Sequence, residues 1–295
     1  MKTVATHSGS FHQDELFAIA TLLLVFKDNL KVVRTRDSKI IESADFGVDV
    51  SGKNDPKTGR FDHHQEGGAG VRPNGIPYAS FGLVWKEFGP KLCSDDRVVD
   101  LVDKKLVQPI DAADNGVSIY TNTREGVYPY LFDNVLNALT PTWRDTATVD
   151  DIFNELIPFI KVVLTKEIEK AEYFFKDIEE VRKAYKNAED KRIIVLEHSY
   201  PWKSILGKLK EPLLVIYPDQ NTGEWVVACV RSDMGKNFSY RVLFPAEWGG
   251  KARVELAKAS GVADAEFCHK NRYIAKAWSK EGVMTMAKKT LGDIM

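Results

Sequence analysis

The sequence is poor in cysteine. Only three cysteines occur among 295 residues, Cys93, Cys229 and Cys268, and none of them belongs to a Cys-x-x-Cys pair. An odd number of widely spaced cysteines argues against a disulfide framework and against a structural zinc site built from thiolates. This usage is typical of a protein in a reduced, intracellular compartment.

The sequence also lacks an excess of charge of either sign, because 41 Lys and Arg residues nearly balance 42 Asp and Glu residues. A chain with this balance has no overall attraction for a polyanion. A nucleic acid would therefore need a local basic patch or a bound metal ion to hold it.

Long apolar segments are missing as well. No run approaches the roughly 20 apolar residues that span a bilayer. The segment Lys2 to Thr6 has the pattern of a strand, which differs from that of a signal or transit peptide. We therefore expect a cytoplasmic location and no membrane partner.

What the sequence does contain is the composition of a globular protein, with 44% hydrophobic and 28% charged residues. A chain of this length is expected to form two domains. We predict an α/β fold in which residues 1–145 form a metal-binding catalytic domain with a mostly parallel sheet and flanking helices. A long helical connector is predicted over residues 146–190, with a kink or boundary at Pro158, and a smaller α/β domain for substrate binding over residues 191–295.

The elements are predicted from hydrophobic periodicity and from turn residues. Strands are predicted over residues 2–6, 31–36, 45–50, 192–197, 213–217, 224–231, 240–243 and 266–269. Helices outside the connector are predicted over residues 16–26, 79–88, 95–107, 252–259 and 280–289. The order of strand, polar loop and helix at the start is typical of an α/β unit, whose ligands bind at the carboxyl ends of the strands.

Metal-binding side chains cluster near the ends of the early strands. Four of the six histidines lie in the first 64 residues, two of them in the tripeptide Asp62-His63-His64. Imidazole and carboxylate without thiolate favour manganese, iron, cobalt or zinc, and a pair of such ions is how many phosphoesterases activate water. The candidate ligands are His7, His12, Asp14, Asp49, Asp62, His63, His64, Asp111 and Asp114.

Most of these candidates also have a structural explanation, and Asp62-His63-His64 could simply form a polar turn. His7 or His12 could cap the first helix, Asp14 and Glu15 suit the dipole of its first turn, and Asp111 and Asp114 could form a turn. The metal hypothesis would be wrong only if all of these structural explanations were correct at the same time.

Four motifs occur in an order that resembles the melanocyte-proliferating-gene (MYG) family, a branch of the DHH-type phosphoesterases. The likeness extends to the segment from His269 to Gly282 in the second domain, so it covers nearly the whole chain. The four motifs are His7-x-x-x-Phe11-His12-x-Asp14-Glu15, Val48-Asp49-Val50, Arg60-Phe61-Asp62-His63-His64-Gln65 and Asp111-Ala112-x-Asp114-Asn115-Gly116.

The resemblance implies a DHH-like two-domain fold with an active site in the cleft between the domains, and exonuclease activity at the 3′ end of RNA. It implies two divalent ions, manganese first, with magnesium, cobalt, iron and zinc as alternatives. One ion would be held by His7, His12 and Asp49, and the other by Asp14, Asp49, His63 and Asp111. Asp49 would bridge the ions, Asp111 is preferred to Asp114 although both stay open, and His64, with Asp62, would act on the phosphate or on the leaving oxygen.

The sequence departs from the superfamily in two places. His12-x-Asp14 stands where much of the superfamily has Asp-x-Asp, and Ala275-Lys276-Ala277 stands where the family has Gly-Gly-His. Basic and aromatic residues of the second domain could hold the substrate instead, although they could also form a solvated basic face. The candidates are Arg231, Lys236, Arg241, His269, Lys270, Arg272, Tyr273 and Lys276.

Three functions remain to be distinguished. The first is a 3′ to 5′ exoribonuclease in which a hydroxide shared between two metal ions attacks the terminal phosphodiester of single-stranded or short RNA. The second is a hydrolase of a small phosphate compound, either pyrophosphate or a dinucleotide, and the third is a metal-binding protein without catalytic activity. The sequence does not determine the oligomeric state and leaves a homodimer open.

Overall fold

The computed structural model describes residues 1–233, 235 and 239–293, and it divides the chain into two compact units, residues 1–172 and 173–295. Each unit is built on its own β-sheet with helices packed against it, which confirms the two-domain α/β prediction. None of the described helices combines the length and the hydrophobicity that a membrane crossing requires.

Unit 1 contains a four-stranded parallel sheet with the strand order β2-β1-β3-β4. The first three strands confirm the predicted ones, but the third ends at Val48 and not at Val50 because Asp49 adopts a left-handed backbone conformation (φ 57°). The bounds are β1 Lys2–Thr6, β2 Leu30–Arg34, β3 Phe46–Val48 and β4 Arg60–Phe61.

The first helix is buried on all sides, from Gln13 to Leu23. It contacts the third helix extensively, and aromatic rings such as Phe17 and Phe81, 5.3 Å apart, pack between them. Two short helices, the second and the sixth, were not predicted. The helices of unit 1 are α1 Gln13–Val25, α2 Ser38–Ser43, α3 Ser80–Phe88, α4 Asp96–Val102, α5 Gln108–Asp114 and α6 Phe132–Leu139.

Helices α4 and α5 are joined by a π-helical turn, Asp103–Val107, so the helical segment runs to Asp114 and not only to Val107 as predicted. Pro109 lies just after this turn and has no N–H to donate, which favours a local change in the hydrogen-bond pattern. The change matters for function because Asp111 and Asp114 lie on the helix and not in a turn.

The predicted connector is one helix, α7, which spans Val149–Asn187 and includes Pro158. Pro158 removes one backbone hydrogen bond, but the helix continues because its apolar side chains are buried, among them Phe153 and Ile160. The division between the two units falls within this helix.

Unit 2 contains a five-stranded mixed sheet with the order β5-β6-β7-β9-β8. The predicted strand over residues 240–243 is wrong: Tyr240 forms an isolated bridge with Arg231 and no strand is present over these four residues, whereas Ile274–Ala277 forms a strand that was not predicted. The elements are β5 Ile193–Val195, α8 Lys203–Leu206, β6 Leu214–Pro218, β7 Trp225–Cys229, α9 Arg253–Ser260, β8 Ala265–Cys268, β9 Ile274–Ala277 and α10 Lys280–Leu291.

Candidate metal centre and active site

The candidate ligands come together at one edge of the parallel sheet. His7 follows β1, Asp49 follows β3 and His63 follows β4, and these three strands are neighbours. Parallel strands present their carboxyl ends at the same edge, so residues distant in sequence meet there. Helix α1 adds the residues of its first turn, and α5 adds the last residue of the helix, Asp114.

Asp49 lies at the centre of this cluster and is almost fully buried. Its Oδ2 lies 3.3 Å from His7 Nε2, whereas its Oδ1 lies 3.5 Å from His63 Nε2 and 3.3 Å from His64 Nδ1. Burial alone would raise the pKa of the Asp49 carboxyl, but the contacts with His63 and His7 hold that pKa well below its usual range. The positive φ of this non-glycine residue is a strained conformation of the kind found at functional sites.

A first group of ligand atoms belongs to His7, His12, Glu15 and Asp49, all within 4.8 Å of one another. Glu15 is fully buried; it accepts the backbone N–H of His12 at 2.9 Å and lies 3.2 Å from His7 Nε2. The contacts with Asp49 and Glu15 raise the pKa of His7 to about 10.

Glu15 was not among the ligands predicted from the sequence. From the sequence alone, the role expected of Glu15 is a favourable interaction with the helix dipole in the first turn. The signal that could have identified it is the strongly apolar helix that follows, because a carboxylate in the first turn of a helix that is buried on all sides must itself be buried and needs a partner.

A second group consists of Asp14, His63 and Asp114, again within 4.8 Å of one another. Backbone N–H groups at the start of α3 hold the Asp14 carboxylate, with Ser80 N at 3.0 Å and Phe81 N at 2.7 Å. Burial raises the pKa of Asp14 well above its usual value, and the charges of Asp114 and Asp49 add to this effect. A cation between these carboxylates would remove the repulsion.

Asp111 does not belong to either group. Its carboxylate pairs with Arg72 at 2.6 Å and accepts the N–H of Gly82 at 3.0 Å, and a Cβ atom at Gly82 would lie only 1.9 Å from Asp111 Oδ2. Burial raises the pKa of Asp111 to about 7, against the opposing charge of Arg72. The structure places Asp114, and not the Asp111 preferred from the sequence, beside the other candidate ligands.

The other two members of the tripeptide have different surroundings. Asp62 is buried and accepts the backbone N–H of Gly52 at 2.6 Å, and its Oδ1 lies 2.8 Å from His64 Nδ1. The His64 side chain is 63% exposed, and with Asp49 and His63 it forms a third group of close ligand atoms. Asp62 therefore orients His64 at the surface of the cluster.

The residues present fit divalent metal ions. Nε2 of His63 is buried and forms no hydrogen bond within the described part of the chain, although it lies 3.0 Å from Asp114 Oδ2. Two ligand atoms about 2.1 Å from a common ion at roughly tetrahedral or octahedral angles are themselves about 3.0–3.4 Å apart. The separations between imidazole and carboxylate are therefore those expected of ligands that share an ion.

An open cavity of about 700 Å³ is lined by most of the candidate ligands: His7, His12, Asp49, His63, His64 and Asp114. Arg36 lines it too and is the one Lys or Arg side chain among its described lining residues. Its Nε donates to the backbone carbonyl of Ser8 at 3.2 Å, which fixes the guanidinium beside the loop after β1. Arg36 was not predicted, and it gives an otherwise acidic cavity a group that could pair with a phosphate.

Several predicted substrate-binding residues of unit 2 form ion pairs or hydrogen bonds with other residues of that unit. The Lys276 ammonium pairs with Asp219 at 2.8 Å and with Glu224 at 2.7 Å. Arg241 donates to the carbonyls of Pro212 and Gly207, both at 2.8 Å, and so serves a structural role. Arg272 donates to the carbonyl of Phe244 at 3.2 Å.

The remaining candidates of unit 2 are accessible. Arg231 lines a cavity of about 320 Å³ together with Tyr240 and Tyr273, whose rings stack 5.0 Å apart. The His269 ring lies 4.5 Å from that of Tyr273, and Lys270 is exposed. Lys236 lies outside the described residues.

Comparison with known proteins supplies the family. The MYG1 exonuclease family model, described as "Uncharacterised protein family (UPF0160)", matches residues 3–291. The MYG1 protein of Dictyostelium discoideum is 29% identical, and the alignment covers 99% of this chain and 97% of that protein. The MYG1 exonuclease of Mus musculus is 31% identical (98% and 85% covered), and the MYG1 protein of Saccharomyces cerevisiae is 32% identical (98% and 96% covered). No solved structure shows a significant match. The motifs and the full-length matches agree, and the chain belongs to the MYG1 exonuclease family.

Proposed function

We propose that this protein is a metal-dependent phosphodiesterase and, more narrowly, a 3′ to 5′ exoribonuclease that uses two divalent ions, with manganese the foremost candidate. The observation that carries the proposal is the position of Asp49. Its two carboxylate oxygens face different imidazoles, Oδ2 towards His7 and Oδ1 towards His63. A carboxylate arranged in this way can bridge two ions, and relatives that carry the name exonuclease support the reaction class.

The first ion would be held by His7, His12, Glu15 and Asp49, and the second by Asp14, Asp49, His63 and Asp114. When bound, the ions would supply an activated water and neutralise the charge of the phosphate. Backbone N–H groups of α3 hold Asp14 in place, and the contact of Glu15 with His7 orients that imidazole.

His64 has the position of a proton donor. Nδ1 of His64 faces the Asp62 carboxylate and would donate its proton to it, so only the protonated ring, the imidazolium, carries a second proton on Nε2; this proton would pass to the leaving 3′ oxygen, and the ring would become neutral. Arg36 would pair with a non-bridging oxygen of the phosphate from the rim of the same cavity.

The replacement His64→Gln is expected to lower kcat by about 100- to 1000-fold, because general acid catalysis contributes about that much, while manganese binding changes little. His64 is largely exposed, so the fold should not depend on it. Single-turnover rates and metal titrations of both proteins measure the two effects. The replacement His198→Gln in unit 2 is the matched control, and equal losses in the two variants would contradict a specific role for His64.

The function is tested with RNA that carries a label at its 5′ end. The protein is first treated with a chelator and then supplied with manganese. We expect a ladder of fragments that shorten from the 3′ end, whereas digestion from the 5′ end would release a labelled mononucleotide at once. Failure to cleave RNA, DNA or a dinucleotide with manganese, magnesium, cobalt, iron or zinc would refute the enzyme proposal.

The competing functions are distinguished by the same preparation. Pyrophosphate, a dinucleotide and a 20-nucleotide RNA are compared at equal phosphate concentration. Faster turnover of pyrophosphate or of the dinucleotide would favour a hydrolase of small phosphate compounds, which a chain of balanced charge permits. Tight manganese binding without turnover of any substrate would favour a non-catalytic metal-binding protein.

A further inference from the structure

Unit 1 contains a second cavity, of about 480 Å³, beside the metal centre. Gln13 and Ala113 line both cavities, so the two adjoin. At three places in the chain, a residue that lines the second cavity is directly followed by a candidate ligand or by a residue that lines the first cavity. Gln13 precedes the ligand Asp14, Ala113 precedes the ligand Asp114, and Phe132 of the second cavity precedes Asp133 of the first. The helices that carry metal ligands therefore also form the wall of the second cavity.

The wall of the second cavity is largely apolar. Its wall includes Pro109, Ile119, Tyr120, Leu131 and Phe132. Ile119 is 55% exposed and Tyr120 is 43% exposed, so apolar surface is open to a ligand there. The Phe132 ring packs between Phe17, at 5.6 Å, and Phe159, at 6.4 Å, and this packing holds it in place.

Charged side chains contribute little to the wall of the second cavity. Among its described lining residues, Lys105 is the one Lys or Arg and no Asp or Glu is present, and Lys105 pairs with Glu167 at 2.6 Å. An uncharged, flat, apolar ligand fits such a wall better than a phosphate does. Gln13 is nearly buried where the cavities meet, and its side-chain amide, which offers both a donor and an acceptor, forms no hydrogen bond with another described residue.

We propose that this cavity binds the base of the nucleotide whose phosphate lies at the metal centre. The base stacks on Tyr120 and contacts Leu131, the sugar passes Gln13, and the phosphate reaches the metal ligands. This assignment rests on the proposed phosphodiesterase function and adds the substrate class, a nucleoside 5′-phosphate, to the same site. It also places recognition of the base within unit 1.

The test compares two ligands that differ only in the base. Adenosine 5′-monophosphate and ribose 5-phosphate are titrated into the manganese-loaded, full-length protein by calorimetry, and the ratio of their Kd values is measured. Stacking of a base on aromatic and apolar side chains strengthens binding by about 10- to 100-fold, so the ratio should have that size in the wild-type protein. The variants Tyr120→Ala and Leu131→Ala should reduce it severalfold.

Tyr128→Ala and Leu139→Ala are the matched controls, because both residues are exposed and neither lines the cavity. A wild-type ratio near one, or a ratio that the Tyr120 and Leu131 variants leave unchanged, would overturn the base site while the metal-dependent function stands. Failure of both ligands to bind would overturn the base site, and the cleavage assay with labelled RNA then shows separately whether the phosphodiesterase proposal stands. A change of oligomeric state in the Tyr120 or Leu131 variant, measured by light scattering, would show instead that a second copy of the chain covers this surface.

Discussion

Replacing Asp49 by asparagine is expected to lower the rate of phosphodiester cleavage by more than about a thousandfold, equivalent to roughly 4 kcal/mol of transition-state stabilisation. The reason is that both proposed metal sites share this carboxylate, since its two oxygens face His7 and His63 separately. An amide has one neutral oxygen and cannot bridge two cations. The loss should appear in kcat and in manganese stoichiometry, which should fall from two ions to one or none.

Asparagine is the appropriate replacement because it adopts positive φ more readily than other residues with a side chain, and Asp49 has a φ of 57°. The folded backbone should therefore survive, which circular dichroism and urea unfolding can verify. Asp100→Asn provides the control, since Asp100 is exposed on α4, away from the cluster. Retention of two manganese ions and of activity by the Asp49 variant would contradict the bridging role.

When the two aspartates of α5 are replaced by asparagine one at a time, we expect one variant to lose stability and the other to lose metal binding. Asp111→Asn is expected to lower the free energy of unfolding by about 3 kcal/mol, because it removes the charge that faces the buried guanidinium of Arg72. Asp114→Asn should change stability little, because Asp114 is partly exposed, but should weaken manganese binding and lower activity by at least about 100-fold.

The measurements for this pair are urea unfolding without metal and calorimetric titration with manganese, applied to both variants. Each variant serves as the control for the other, since they lie one helical turn apart and carry the same chemical change. A stable Asp111 variant without metal binding, together with an unstable Asp114 variant, would restore the assignment that sequence motifs suggest.

The expected roles of Asp111 and Asp114 separate stability from metal binding within one short helix. Asp111 fastens α5 to α3 through Gly82 and to Arg72, and this contact fixes the helix end that carries Asp114. Glycine is required at position 82 because any Cβ would collide with the Asp111 carboxylate. A motif that contains two aspartates can therefore contain one structural residue and one candidate ligand.

Local hydrophobic patterns predicted much of the fold correctly in the segments whose buried residues follow the period of a strand or a helix. The first three strands, the long helix α7 and the two-domain α/β class follow from hydrophobic periodicity. The short elements α6 and β9 and the false strand at residues 240–243 show where periodicity is insufficient, since short segments depend on tertiary partners. Strand β9 pairs with both β7 and β8, and neither pairing can be read from its four residues.

The sequence by itself indicated the family and most of the side chains that meet at the edge of the sheet, among them His7, Asp49 and His63, because residues directly after parallel strands converge there. Only the tertiary structure places Asp114 and not Asp111 beside the other candidate ligands, brings Glu15 to them and Arg36 to the cavity that they line, and pairs Lys276 with Asp219 and Glu224. The physical reason is that the role of a charged side chain depends on the charge and the burial around it. Those surroundings come from residues far away in the chain, as Arg72 does for Asp111.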